Sequence, residues 1–293
     1  MTLLQHVIDA VSAGSLYALF ALGVAFIFGV AQIVNFAHGE LIMVAAYLVL
    51  VTVGLAWPLV LVAVVIAVVV LALTMERIVF RPMRRADAVS VLIMAFSLSV
   101  FLQNAVLAIA GPRAKSVNFA DALTRPLTLG SLRIPWLDII TIGVTVLLLI
   151  ALGVMLRRSP IGRQLRAAAE DFGMARMVGV RANTVIATAF AVSGGLAAVA
   201  GILLTIQTGS LTPTLGLQPV LIAFIATVIG GMGSLTGAVL GGYLLGALTV
   251  LLQVVLPESL IPYRDAFVFG LVIVALLVRP QGLVAGPSAV ERV

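Results

Sequence analysis

Between two apolar runs, the segment Ile33, Val34, Asn35, Phe36, Ala37, His38, Gly39 and Glu40 gathers an amide, an imidazole and a carboxylate within a few positions. Side chains of these types could ligate a metal, relay a proton or bind a polar solute. Ligand count argues against a metal: only His38 and Glu40 stand close, and the other histidine, His6, lies beyond the first apolar run, whereas zinc takes about four ligands. Buried in hydrocarbon, Asn35, His38 and Glu40 are costly. They are expected either to line a translocation path or to form a helix-connecting turn whose polar groups satisfy neighbouring backbone.

Other chemistries fail on the residues available. There is no cysteine, which excludes disulfides, thiol nucleophiles and cysteine-based zinc sites. A phosphate-binding loop needs Gly-Lys-Ser/Thr with a further glycine upstream. The one lysine, Lys115, is preceded by Ala114, with Ile109 at the upstream glycine position. No serine has the Gly-x-Ser-x-Gly setting of a nucleophile elbow. The chain is therefore expected to be no enzyme, with no cofactor and no metal of its own.

Two further constellations stand out. Gly233, Gly237 and Gly241 are spaced four apart, as are Gly242 and Gly246. Such stripes let helix backbones approach closely in lipid. The same block, Gly230 to Gly237, could instead be an unwound segment lining a path. The stretch 157–183 interleaves Leu165, Ala168, Ala169, Phe172, Ala175 and Met177 with Arg163, Arg166, Glu170, Asp171 and Arg176. That spacing predicts one short amphipathic helix at a membrane surface. Arginines alone would fit a topological anchor, but acids among them also suit a docking surface for another protein.

The elements that position these residues follow from composition. Hydrophobic residues make up 62% of 293 positions and charged residues 10%, against about a quarter charged in soluble domains. A helical span needs about 20 apolar residues. Runs such as Leu59–Leu73 are apolar throughout, unlike the alternating strands of a membrane barrel. The expected fold is an all-α integral membrane protein, a polytopic helical bundle of about eight or nine transmembrane segments. Spans fall near 11–31, 41–56, 58–74, 89–110, 137–156, 184–207, 218–230, 236–256 and 264–278. Those at 41–56, 58–74 and 218–230 are short enough to be re-entrant or broken. Residues 1–293 read as one membrane domain. No basic residue precedes Arg77, so the first span is expected to be an anchor and not a cleaved leader.

The net charge of +6 reads as topology and not as nucleic-acid binding, because Lys and Arg collect in loops that stay cytoplasmic. Arg77, Arg81, Arg84, Arg85, Arg157, Arg158, Arg163, Arg166, Arg176, Arg181, Arg279 and Arg292 fall on one side, and Arg113, Lys115, Arg125, Arg133 and Arg264 on the other. The expected topology has the amino terminus outside and the carboxyl terminus cytoplasmic.

Four blocks carry a family resemblance. GVAQIVNFAHGELIMVAAY (Gly29–Tyr47) resembles the signature of the high-affinity branched-chain amino-acid ABC transporter permeases. RAAAEDFGMARMVGVRANTVIATAFAVSGGLAAVAGILL (Arg166–Leu204) resembles their cytoplasmic coupling segment and the helix after it. VIGGMGSLTGAVLGGYLLG (Val228–Gly246) and YRDAFVFGLVIVALLVRPQGL (Tyr263–Leu283) match in the same order. The resemblance, to the shorter of the two permease types, is carried by blocks spread from Gly29 to Leu283 and is weakest at 111–136. It implies a subunit of a bacterial inner-membrane uptake system. The implied partners are a second homologous permease, two cytoplasmic ATP-binding subunits that use the ATP, and a periplasmic solute-binding protein. It further implies that Arg163, Arg166, Glu170, Asp171, Arg176 and Gly179 form an ATPase-coupling loop, with Gly179 permitting a tight turn. Solutes of such systems are branched-chain or other amino acids, urea and short amides. An ion-coupled secondary transporter is the competing reading, with Glu40 its one carboxylate near the interior of an apolar run.

Overall fold

The computed structural model describes residues 3–117, 123, 126–129, 132–279 and 282–284. Arg125, Arg292, Pro280, Gln281 and much of 118–131 lie outside the described residues. The chain is an all-α polytopic membrane protein. Its helices are α1 (Leu3–Ala31), α2 (His38–Thr52), α3 (Trp57–Met75), α4 (Ala88–Ala110), α5 (Trp136–Arg158), α6 (Pro160–Glu170), α7 (Phe172–Met177), α8 (Ala182–Thr208), α9 (Leu217–Gly230), α10 (Leu235–Val255) and α11 (Arg264–Val278). Two small antiparallel pairs complete it: β1 (Lys115–Ser116) with β4 (Ser210–Leu211), and β2 (Pro126–Leu129) with β3 (Leu132–Pro135).

Seven stretches among the described residues are long and apolar enough to cross a membrane: α1, α3 with its continuation to Phe80, α4, α5, α8, α10, and Glu258–Val278 including α11. The remaining two, α2 and α9, have 15 and 14 residues. At the α-helical rise they reach only roughly 21–23 Å, short of a full span. The segment expected at 58–74 is thus not short. It runs on through a π turn, Glu76–Phe80, because Glu76 is paired with Arg84 and need not end the buried helix. The first span also begins earlier than position 11. Polar residues at its start find partners: Gln5 bonds to Asp9 at 2.8 Å and Ser12 to Asp138 at 2.7 Å.

α1 and α8 form the buried centre, whereas α4 and α11 bury little of themselves within the chain. α1 ends where Gln32 takes a left-handed conformation (φ 53°), and residues 32–37 turn back without helix. α2 then starts beside the middle of α1, with His38 against Gly23, and runs alongside α8, whose Gly201 meets Ile42 and Ala45. The second half repeats this in the opposite direction. α8 ends at Gly209 (φ 62°), residues 209–216 turn back, and α9 starts in the interior with Gly216 on Gly39. α10 packs on α1 as α3 packs on α8, and α11 lies against α9 as α4 lies against α2. The two short helices therefore point their amino-terminal ends at one another, the arrangement of inverted repeats with broken helices.

The chain traces a consistent end-to-end polarity. Arg77, Arg81, Arg84 and Arg85 after α3, Arg157 through Arg181 around α6 and α7, and Arg279 after α11 share one end of the bundle. That end is tied together where Arg84 Nη1 donates to Asn183 at the start of α8 (2.6 Å). Arg113, Lys115, Arg133 and Arg264 lie at the other, where β1 pairs with β4 and Arg133 N donates to Gln5 (3.1 Å).

Glycines set the closest helix contacts. On α10, Gly237 and Gly241 face the backbone of α9 at Gly230 and Ala226, while Gly242 and Gly246 face α1 at Ala18 and Gly14. The stripe thus has two sides, each against a different helix. Gly233 is not part of it: with φ 88° it sits in the turn before α10, whose cap is Ser234 Oγ accepting from Gly237 N (3.0 Å). Only residues 231–234 leave the helix here, and the backbone amides of Leu283 and Val284 close on the carbonyls of Ile229 and Gly230. A side chain at these packed glycines meets main chain that cannot rotate away, and overpacking costs about 1–3 kcal/mol or more. Gly241→Leu is expected to cut the yield of folded protein in detergent size-exclusion. Gly143→Leu, at a site with open space around it, should leave it unchanged.

Candidate functional site

The segment Asn35–Glu40 lies where the two inverted halves meet, and all three of its polar side chains are buried. Asn35 serves the turn into α2: its Oδ1 accepts from Ala37 N (3.1 Å) and its carbonyl from His38 N (3.2 Å). Its Nδ2 finds no partner. This supplies the local backbone satisfaction expected of a connecting turn, but for only half of the amide.

His38 and Glu40 are not brought together. Two positions apart on a helix they point about 200° apart. His38 enters the core between α1 and α8, where Ser193 Oγ lies 3.0 Å from its Nδ1 and donates to the Gly23 carbonyl at 2.9 Å. With its one proton on that carbonyl, Ser193 accepts from His38. This fixes the Nδ1–H tautomer and leaves Nε2 an unpartnered acceptor. Glu40 turns the other way, toward α4. Its Oε1 accepts from Ser99 Oγ and from Gln103 Nε2, each at 2.8 Å, while Oε2 has no partner. Ser99 and Gln103 escaped the sequence reading. The signal available was two polar residues four apart, hence on one face, inside an apolar run.

At the arginine-rich end a cavity of about 830 Å³ opens between the turn-back segment Gln32–Val34, the start of α4 at Val91 and Leu92, and the α6–α7 junction at Glu170 and Asp171. Arg84 is on its wall, paired with the buried Glu76. Asp87 begins α4 by accepting from Ser90 Oγ (2.6 Å) and Ser90 N (3.1 Å). Those bonds hold its carboxyl below the usual aspartate range, so the cap is present near neutrality and is lost only as acid reaches that lowered value.

The surface helix expected over 163–179 is two helices. α6 starts on the Ser159 cap, with Gly162 N donating to its hydroxyl at 2.8 Å, and lays Gly162, Leu165 and Ala168 on the bundle. It stops at Asp171, whose backbone is extended (φ −148°, ψ 105°) and whose side chain caps α7 by accepting from Met174 N at 2.9 Å. Gly179 ends the unit with φ 90°, the turn its residue type suggested. Arg163, Arg166, Glu170, Asp171, Arg176 and Gly179 are all exposed. So are Met174, Met177 and Val178, which form an apolar patch among these charges.

The His38 pocket can be tested directly. A methyl on Gly23 would overlap the His38 ring, so Gly23→Ala is expected to abolish folded protein. Ser193→Ala keeps the shape and removes the acceptor, costing about 1–3 kcal/mol, to be read as a lower unfolding temperature in detergent.

Comparison with known proteins gives one answer. A family model described as "Branched-chain amino acid transport system / permease component" matches residues 7–277. The high-affinity branched-chain amino acid transport system permease protein BraD of Pseudomonas aeruginosa is 34% identical over 99% of this chain and 98% of its own length. The corresponding LivH of Escherichia coli K12 is 35% identical over 99% and 97%. LsrC of Salmonella choleraesuis, an autoinducer 2 import system permease protein, is 32% identical over 53% of this chain and 44% of its own. No solved structure matches. Two short helices facing one another in an otherwise spanning bundle, and a charged two-helix elbow at one end, thus occur in a chain alike along its whole length to transport permeases. The chain belongs to the branched-chain amino acid transport system permease family.

Proposed function

We propose that this chain is the membrane-spanning permease subunit of an ATP-driven bacterial importer for branched-chain or related amino acids, working by alternating access. Residues 1–293 form its single permease domain, and 157–183 its coupling loop. The subunit works beside a second, homologous permease in the inner membrane. Two cytoplasmic ATP-binding subunits supply the energy, and a periplasmic binding protein delivers the solute. The arginine-rich end faces the cytoplasm, with the amino terminus periplasmic and the carboxyl terminus inside.

The observation that carries this reading is the α6–α7 elbow. It exposes Met174, Met177 and Val178 together with Arg166, Glu170 and Arg176, a mix of apolar and charged side chains of the kind that docks into a protein groove. α6 rests on α5, α1 and α8, so a push on the elbow reaches the bundle's central helices. Nucleotide and loaded binding protein shift the balance between inward-open and outward-open bundles by their different affinities for the two. The competing ion-coupled reading draws on the buried carboxylate of Glu40 and requires uptake without ATP.

Glu170→Arg and Met174→Glu are expected to lower co-purification of the ATPase subunits and ATP-driven uptake in proteoliposomes by about tenfold each, since a lost docking contact of about 1.4 kcal/mol has that effect. Asp171→Asn separates cap from charge: it keeps the α7 cap and is expected to lower uptake without loosening the elbow. Uptake that persists when ATP is replaced by an ion gradient would sink the proposal.

A further inference from the structure

The two short helices are not covered alike. α2 begins with His38, Gly39 and Glu40 all buried, because α4 runs past that point and reaches Glu40 only at Ser99, its twelfth residue. α11 stands to α9 as α4 stands to α2, yet it meets α9 at Asp265, its second residue, where Gln218 Nε2 donates to Asp265 Oδ2 at 3.0 Å. Ahead of α11 there is only the short tight helix Glu258–Tyr263, which buries none of its residues. The start of α9 is consequently closed on its inner side, where Gly216 meets Gly39, and open on its outer side. Thr214, Leu217, Gln218 and Leu221 are exposed, and no side chain caps the helix.

This opening lies at membrane depth. Asp265 shares a small void with Tyr17 and Thr249. Tyr17 is 14 residues from either end of α1, about 21 Å along its axis, and Thr249 is 14 residues above the start of α10. A charged pair sits at the rim: Arg264 Nη2 lies 3.2 Å from Asp265 Oδ1, with side chains 26% and 43% exposed. Arg264 Nη1 also donates to Gln253 of α10 at 3.3 Å. Hydrocarbon tolerates neither an exposed charge pair nor an uncovered helix break, so at this depth both face protein or enclosed water. Leu217 and Leu221, one turn apart on the same side of α9, favour protein.

We propose that the second permease of the assembly covers the start of α9, laying a membrane helix over Leu217, Gln218 and Leu221 and against Arg264 and Asp265, in the place that the first half fills with its own α4. This rests on the permease reading and names the surface through which the two permeases join. The opening sets the chemistry of the partner helix. It carries apolar side chains to pack on the two leucines, and an amide or hydroxyl to meet Gln218 and the charged pair, as Ser99 and Gln103 meet Glu40.

The test uses the complete assembly, with its binding protein and ATPases, in proteoliposomes. With p-benzoylphenylalanine in place of Leu221, irradiation is expected to join this chain to the second permease, identified by mass spectrometry, in higher yield than the same probe in place of Ile66, exposed on α3. Leu221→Trp should lower recovery of the second permease with this chain about tenfold, and Ile66→Trp should leave it unchanged. Adducts from position 221 with lipid or the binding protein alone, no adduct, or a yield no higher than from position 66 would overturn the assignment. Full recovery of the second permease with Leu221→Trp would do the same. An unsubstituted assembly that takes up no leucine with ATP would instead refute the permease reading beneath it.

Discussion

Hydrocarbon offers no partner to a backbone amide or carbonyl, so a chain that leaves the helical state inside a membrane must be covered by its own protein. This chain does so twice, at 32–37 and at 209–216, and the rest of the bundle is arranged around that fact. α1 and α8, the most buried helices, flank both breaks. Asn35 lends the first one a side-chain acceptor and a carbonyl. β1 pairs with β4 over part of the second. Gly39 and Gly216 let the two interrupted strands of chain touch main chain to main chain, which excludes lipid by leaving no room for it. Short helices with free amino termini are thus affordable only where long ones enclose them.

What the sequence made legible follows from this division. Long apolar runs announce a bilayer whatever their neighbours, so the helical class and nearly every span were readable. Boundaries were less so, because they depend on partners distant in sequence. Glu76 looks like the end of a span until Arg84 is seen to pair with it, and Gln5, Asp9 and Ser12 look like residues ahead of a span until Gln5 is seen to bond Asp9, and Ser12 Asp138. Periodicity over 163–179 could not reveal that Asp171 is extended, though an acid three residues before an amide it can cap is a recognisable signal. The motif Asn35–Glu40 was visible as a unit but not as a divided one. That His38 and Glu40 face opposite ways depends on where α2 begins, and a run with Gly39 in its midst does not disclose it.

The same segment joins two regions of different character. Toward the core, His38 is locked by Ser193 and Gly23 in a fit that leaves no slack. Toward the periphery, Glu40 holds α4 by two hydrogen bonds, and the far end of α4, at Val91 and Leu92, walls the cavity. The two faces of the start of α2 therefore make contacts of different kinds. Arg84 extends this contrast to the arginine-rich end, bonded to Glu76 and Asn183 behind it while sharing a cavity with Glu170 and Asp171 in front.

The antiparallel likeness of the two halves has a geometric corollary. In this conformation the first half has a cavity of about 830 Å³ beneath its peripheral helix, and a far smaller void lies beside α11 at Asp265 and Val268. If each half adopted the shape now held by the other, the void beside α4 would vanish and its mirror would appear beside α11, near Gln218 and Asp265. The inverted pairing of helices thus lets one packing scheme serve both halves of the bundle.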